Sequence, residues 1–234
     1  MNRFFLFLIL LSVLSCIEES KLSFIETNEI FEDNAVVEIN IPKAEGDSDL
    51  ANTINYKIET HIANMLNFSE DDTDSITLND AVNKFDAEYK AFKNDFEEST
   101  LVWEALFDGE VTYQSAEIIS IAINGYLNTG GAHGNMNVTF LNFNPKTDHL
   151  LTFDDLFTNK EDLTKAVNPF FDKETKPSNI SYFFDEEFHL PENIGFNEDG
   201  VIFFYNIYEI ASYSDGITEF TVPFEDIDSF LKLN

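Results

Sequence analysis

The stretch Gly125-Tyr126-Leu127-Asn128-Thr129-Gly130-Gly131-Ala132-His133-Gly134 gives the clearest local signal of the fold. Three of the chain's nine glycines and one of its four histidines fall within residues 130–134. Residues 118–123 before it and 136–141 after it have the β-branched and aromatic content of strands. The stretch therefore predicts a loop between two sheet strands. Because glycine accepts positive φ and allows close approach, the loop is a candidate turn, bulge or binding surface.

Toward the N-terminus the pattern alternates between strand and helix. Residues 24–31 and 35–41 predict strands, and Pro42 ends the second one. Apolar positions then recur at helical spacing over residues 48–67, and again from Thr77 to about residue 97. From residue 100 the period changes to two, which predicts an antiparallel meander through residues 101–107, 110–113 and 117–127.

Toward the C-terminus the pattern predicts short strands with one or two short helices. Residues 137–143 and 149–152 predict strands, and residues 152–157 and 159–173 predict a helical turn and a helix. Asp199-Gly200 signals a hairpin between residues 188–196 and 201–205, and the remaining segments are a strand over 218–222 and a short helix over 225–231. The sequence therefore predicts an α+β fold with a mainly antiparallel, Phe-rich sheet, two amphipathic helices in a first lobe (23–129) and one or two short helices in a second (130–234).

The N-terminus predicts export. Arg3 precedes an apolar run over residues 4–14, which is too short to span a bilayer, and Val13-Leu14-Ser15-Cys16 follows as a lipobox. We expect a signal peptide over 1–15, lipid attachment at Cys16, and a polar tether over 16–22. Cys16 is the only cysteine, so an internal disulfide is excluded. These features predict a protein that is lipid-anchored to the bacterial cell envelope, with an ordinary secretory signal and an incidental cysteine as the alternative.

The charge of the chain limits its partners. Its 44 acidic residues against 13 basic ones give a net charge of −31, which becomes −32 if Arg3 leaves with the signal. A field of this sign repels nucleic acid and anionic lipid surfaces and attracts cationic proteins, peptides or metal ions. Solubility alone is the simpler explanation for such a charge.

The residues do not form a recognisable catalytic or metal motif. The four histidines, at positions 61, 133, 149 and 189, are scattered, and His61 is expected at the surface. The acidic loop 69–75 lacks the glycine and glutamate of an EF-hand. His133 with His149 and Asp148 is a candidate metal or acid-base group, against a structural role for the imidazole. We therefore predict no catalytic residue, metal or cofactor.

Three motifs in order carry a family resemblance: residues 128–134, Leu151-Thr152-Phe153-Asp154-Asp155-Leu156-Phe157, and residues 199–213. Together they resemble a pair of exported bacterial domains of unknown function. The pair occurs in the extracytoplasmic part of the lysozyme-binding anti-sigma factor RsiV and in the non-catalytic region of the peptidoglycan deacetylase PdaC. The resemblance implies a non-enzymatic binding or sensing module of the cell envelope, with lysozyme, another cationic envelope protein or cell-wall material as partner.

The candidate binding residues are Tyr208, Glu209 and Tyr213, together with Gly130, Gly131 and His133. Tyrosines in a loop provide rigid contact area with a polar tip, although packing at a sheet edge is the structural alternative. A different function remains open, which is an envelope hydrolase acting on glycan or peptide with His133 and acidic residues as its machinery. A deep pocket holding His133 and two carboxylates would favour that alternative.

Overall fold

The computed structural model describes residues 21–67, 76–176, 180, 182–183 and 188–233. The predicted signal peptide, Cys16 and the acidic loop 69–75 lie outside these ranges. The end of the predicted tether lies inside them, and the carbonyl oxygen of Leu22 accepts a 3.1 Å hydrogen bond from Gln114 Nε2. Within the described ranges, helices that combine the length and apolar character needed to cross a membrane are absent.

The larger of two sheets has six strands in chain order. These are β1 (Phe24–Phe31), β2 (Val36–Ala44), β3 (Glu104–Gln114), β4 (Ile119–Asn128), β5 (Asn135–Asn144) and β6 (His149–Leu150). Every neighbouring pair is antiparallel except β2 and β3, which are parallel. Parallel neighbours need a long crossover connection, and two helices provide it here. They are α1 (Asp49–Leu66) and α2 (Leu78–Asp95).

Both helices begin at the residues that the sequence predicted. Ser48 Oγ accepts a 3.1 Å hydrogen bond from the amide of Ala51, and Thr77 Oγ1 accepts one of the same length from Asp80. In the predicted α1 stripe, Ile54, Ile58, Ile62 and Leu66 are buried and Met65 is half-buried. The stripe packs with sheet residues such as Phe107, Ile121 and Phe143, which form the first hydrophobic core.

One predicted break in the meander was wrong. Residues 101–107 and 110–113 were expected as separate strands, but β3 runs unbroken from Glu104 to Gln114 with an irregularity between Val111 and Tyr113. Gly109 lies within this strand at a point where neighbouring side chains pack closely against the backbone. A Cβ at Gly109 would lie 2.9 Å from side-chain atoms of Ile123 and Pro42. The glycine therefore allows close packing at this point in the strand.

The second sheet is antiparallel and contains β7 (Asn193–Asn197), β8 (Gly200–Tyr205) and β9 (Thr218–Pro223). Three helices accompany it: α3 (Phe153–Leu156), α4 (Lys160–Thr175) and α5 (Phe224–Ile227). The predicted Asp199-Gly200 turn joins β7 to β8, although β7 begins later than the expected residue 188. The α+β class with a mostly antiparallel sheet is confirmed.

Phenylalanine is the commonest buried residue of the second core, as predicted, whereas isoleucine is the commonest in the first. The buried members of the second core include Phe157, Phe171, Phe196, Phe203 and Phe220, and the rings of Phe203 and Phe220 stack with centroids 5.3 Å apart. Aromatic pairs at this separation add about 0.5–1.5 kcal/mol each beyond the area that they bury.

The two sheets meet where β7 packs across β3, β4 and β5. Asn142 Nδ2 donates a 2.7 Å hydrogen bond to the carbonyl oxygen of Ile194, and the amide of Phe196 donates one of 3.1 Å to Ser120 Oγ. The glycine loop connects β4 and β5 within the larger sheet. This loop contains the boundary predicted between residues 23–129 and 130–234, so one sheet extends across both predicted lobes.

Candidate interaction site

The glycine loop leaves the sheet after Asn128 and returns at Asn135. Asn128 Oδ1 accepts a 3.2 Å hydrogen bond from the amide of Gly130, whose φ of 90° lies in the region that favours glycine. Gly134 is constrained by packing instead, since a Cβ there would lie 2.3 Å from ring atoms of Tyr126. The loop therefore needs glycine at positions 130 and 134. Gly131 is exposed, and a Cβ at that position would meet only the carbonyl oxygen of His133, at 3.6 Å.

Tyr213 lies against this loop. Its hydroxyl donates a 3.1 Å hydrogen bond to the carbonyl oxygen of Gly134, and its ring stacks on the imidazole of His133 with centroids 3.7 Å apart and planes 23° apart. His133 Nδ1 lies 3.0 Å from the same Gly134 oxygen. The loop backbone and the stacked rings thus fix one another.

Tyr208 extends the aromatic surface into solvent. Its side chain is 55% exposed, and its ring centroid lies 5.7 Å from that of Tyr213. Its backbone has a φ of 68°, which is unusual for a residue with a large side chain and costs about 1–3 kcal/mol. We call Tyr208, Tyr213 and His133 the aromatic cluster. The predicted tyrosines and glycine loop, which are far apart in sequence, are adjacent in the fold.

Two asparagines position the segment that carries Tyr208. Asn206 Oδ1 accepts a 2.8 Å hydrogen bond from the amide of Val138 in β5, and Asn206 Nδ2 donates one of 3.0 Å to the carbonyl oxygen of Val138. Asn193 Oδ1 accepts from the amide of Phe140, and Asn193 Nδ2 donates to Val138. The side chains thus take the place of a neighbouring strand along β5 and protect that edge of the sheet.

Glu209 is the acidic member of the site. Its Oε2 accepts a 2.8 Å hydrogen bond from the amide of Asn206. The residue as a whole is exposed. Burial around its carboxyl group raises the pKa of Glu209 above the ordinary value, and the hydrogen bond from Asn206 partly opposes this by lowering it. Burial also raises the pKa of the neighbouring Tyr205, with a further contribution from the charge of Glu209. The surroundings of Glu209 therefore disfavour the charged form of its carboxyl group.

An open groove of about 700 Å³ adjoins Glu209. Its lining includes Lys160, His189, Glu192, Asn193 and Asn206. Among the described residues, groups of three or more histidine, cysteine or acidic side chains that could hold a metal ion are absent.

The other histidines lie apart from this site. His149 pairs with Asn144 at the far end of β5, so His133, which precedes the start of β5, is not brought together with His149 and Asp148. His61 was expected at the surface, but it is half-buried and its Nε2 lacks a hydrogen-bond partner among the described residues. Burial lowers its pKa. The position next to buried Ile62, on the flank of the α1 stripe, explains this difference.

Sequence reasoning missed three contributors to the site: Tyr126, Asn193 and Asn206. Tyr126 could have been found from strand alternation, because Gly125 faces the helices and its neighbour must face the other side. The asparagines gave no such signal, because their partners are backbone groups more than 50 residues away.

The fold and this surface define a two-sheet α+β protein with an exposed aromatic cluster beside a partly buried carboxylate. Residues 26–136 match the family model described as Deacetylase PdaC, and residues 143–225 match the model described as Protein of unknown function (DUF3298). These two matches correspond to the paired domains that the motifs of the sequence resemble. Together the two matches indicate an accessory module related to the cell envelope.

Solved structures share the same fold. A crystal structure of a DUF3298 family member from Bacteroides fragilis NCTC 9343 superposes with a TM-score of 0.68 at 22% identity, covering 90% of this chain and 93% of that one. A DUF3298 family protein from Pseudomonas aeruginosa PAO1 gives a TM-score of 0.57 at 17% identity, with the same coverage of both chains. Curated proteins gave no significant match.

Proposed function

We propose that this chain is a lipid-anchored, non-enzymatic binding or sensing module of the cell envelope, and that its partner is a cationic protein, with lysozyme as the first candidate. The observation that carries the proposal is the aromatic cluster, an exposed and rigid contact surface on a chain of net charge −31. The membrane attachment is the one predicted through Cys16.

Charge supports a basic partner. With 44 acidic residues against 13 basic ones, the chain attracts cationic proteins over the distance of a Debye length, about 8–10 Å at physiological salt. Such attraction mainly raises the association rate, and the contacts made after docking set the dissociation rate.

The aromatic cluster is suited to hold a partner once it arrives. Tyr213 is fixed by Gly134 and His133, so docking against it orders few additional bonds. Tyr208 projects beyond it, and tyrosine is among the residues that most often dominate binding energy. Glu209 adds a charge that a basic side chain would stabilise, since its present surroundings raise its pKa.

Cell-wall material is the other candidate partner. Stacked aromatic rings can also pack on sugar rings, but a neutral glycan gives no role to the net charge. Salt dependence therefore distinguishes the two partners, because only the binding of a cationic protein should slow steeply as salt rises.

The hydrolase alternative has less support at this site. It required His133 in a deep pocket with two carboxylates, whereas His133 is exposed and its ring stacks on Tyr213. The geometry around His133 fits a contact surface better than a general base.

Association kinetics provide the test. The chain without residues 1–15, immobilised through its N-terminus, is exposed to hen-type lysozyme and to soluble cell-wall fragments at low and at high salt. We expect lysozyme to associate and the rate to fall by about tenfold or more as salt rises. Absence of lysozyme binding at micromolar concentration, or a rate independent of salt, would refute the proposed partner.

A further inference from the structure

The six-stranded sheet has a second face, opposite α1 and α2. Residues alternate between the two faces along each strand, and the buried members Val37, Ile39, Ala105, Phe107 and Ile121 belong to the helix side. One end of the opposite face, at Ser120, Phe140 and Asn142, is packed against β7 and its neighbours. Among the described helices and strands, none packs over the rest of this face, and its residues are partly or fully exposed.

The strand register defines this uncovered part. Three cross-strand rows make it up, and we call them the open face. The rows are Val36, Glu104 and Asn128; Ile30, Glu38, Leu106, Tyr126 and Met136; and Asn28, Asn40, Asp108, Asn124 and Val138. Asn40 Nδ2 donates 3.2 Å hydrogen bonds to Asp108 on the neighbouring strand and to Glu38 on its own strand.

The open face carries acidic charge alone. Glu38, Glu104 and Asp108 lie within it, and Glu26 and Glu110 lie in the next row. Lysine and arginine are absent from its three rows and from that next row. The four ion pairs among the described residues are formed by Lys146, Lys165 and Lys176, all outside this face. A second copy of the chain would bring like charges together, so the face is complementary to a basic surface.

The open face is continuous with the aromatic cluster. Tyr126, in the central row, packs against Gly134, and the Gly134 carbonyl oxygen accepts the hydrogen bond from Tyr213. The apolar side chains Ile30, Leu106 and Met136 lie in the same row as Tyr126. A partner that touches Tyr213 therefore has an adjacent surface with apolar contacts flanked by carboxylates.

Area supports the same conclusion. The three rows, which do not all reach every strand, cover about 400 Å² at the usual strand and residue spacings. An aromatic side chain buries about 150–250 Å² when fully covered, and a stable interface needs about 800 Å² on each side. The three members of the aromatic cluster are partly covered already, so they fall well short of that area alone and come close to it together with the open face.

We propose that the open face is the second half of the docking surface. It binds the basic side, rich in lysine and arginine, of the same folded protein that the aromatic cluster contacts. This inference rests on the proposed function and extends the proposed binding site from the aromatic cluster to the open face. The carboxylates of the face act at close range, in addition to the long-range attraction of the whole chain.

Charge reversal on the face tests the proposal, with hen-type lysozyme as the probe. A double variant that carries Glu38→Lys and Asp108→Lys is compared with a control double variant that carries Glu59→Lys and Glu97→Lys. The control changes the net charge by the same amount, at exposed positions outside the open face. We expect the first variant to weaken lysozyme binding about tenfold or more beyond the control. Equal affinities of the two variants would overturn the inference while leaving the proposed function intact.

A footprint on the unmodified chain guards against a folding defect in the variants. Met136 lies on the open face, whereas Met65 lies on the helix side next to Gly125. Oxidation of Met136 should slow when lysozyme is bound, and that of Met65 should not change. If the tyrosine variants abolish the complex but Met136 is oxidised at the same rate with and without lysozyme, the partner binds elsewhere and the inference is wrong. If the wild-type chain does not bind lysozyme, the proposed function itself is wrong.

Discussion

The hydroxyl of Tyr213 donates a 3.1 Å hydrogen bond to the carbonyl oxygen of Gly134, which lies 79 positions earlier in the chain. This bond fastens the segment after β8 to the tip of the β4–β5 hairpin, at the end of the sheet away from β6. Together with the stacking of Tyr213 on His133, it converts two separate sequence motifs into one surface. The two motifs therefore depend on one another for their positions.

The glycine loop should tolerate substitution unevenly. Gly134→Val should destabilise the protein by about 1–3 kcal/mol, because the added side chain overlaps the ring of Tyr126. Gly131→Val is the matched control and should change stability little, since its Cβ would meet one carbonyl oxygen at ordinary contact distance. Urea unfolding of the two variants measures the difference, and equal losses would contradict this account of the loop.

The two asparagines that bond β5 should contribute strongly to stability. Asn206→Ala removes two hydrogen bonds to backbone groups of Val138, and Asn193→Ala removes one to Phe140 and one to Val138. Each variant should cost about 1–3 kcal/mol. Asn83→Ala, at an exposed position of α2, is the control. If urea unfolding shows the same stability for all three variants, the asparagines do not hold the two sheets together.

Glu209 should make stability depend on pH. Because its pKa is raised in the folded protein, the folded state binds a proton more tightly than the unfolded state, and its contribution to stability is lost as pH rises above the ordinary value of 4.5. Glu209→Gln should therefore be more stable than wild type at pH 7 and similar to it at pH 4. Glu219→Gln, at an exposed position of β9, is the control. A lower urea midpoint for Glu209→Gln at pH 7 would contradict the assigned cause.

Membrane attachment should depend on Cys16. Replacing Cys16 with Ala removes the one thiol available for lipidation and should move the protein from the membrane fraction to the soluble fraction. Immunoblots of fractionated cells expressing the wild type and the variant provide the measurement. Unchanged fractionation would leave the ordinary secretory signal as the better explanation.

Local physics made much of the fold predictable. The caps at Ser48 and Thr77 and the stripe along α1 specified the helices, and Asp199-Gly200 specified a hairpin. The break predicted between residues 107 and 110 was wrong, because a glycine such as Gly109 that is required for close packing within a strand has the same sequence signal as one in a turn. The parallel pairing of β2 with β3 was also hidden, because it depends on the crossover that the helices make.

The sequence pointed to the tyrosines and the glycine loop of the candidate site, but not to its geometry or to Tyr126, Asn193 and Asn206. Exposed tyrosines and a glycine loop are visible in the sequence, whereas the stacking of Tyr213 on His133 depends on how the two sheets pack. The same is true of the bonds from Asn206 to β5 and of the burial that raises the pKa of Glu209. Such long-range pairings have no local periodicity from which they could be predicted.

Calorimetric titration of the chain with hen-type lysozyme tests the central claim most directly. We expect micromolar or tighter binding, a loss of about 1–3 kcal/mol for Tyr208→Ala or Tyr213→Ala, and no loss for Tyr56→Ala, whose side chain is also 55% exposed but lies on α1. Absence of binding at micromolar concentration, or binding that survives loss of both Tyr208 and Tyr213, would contradict the account.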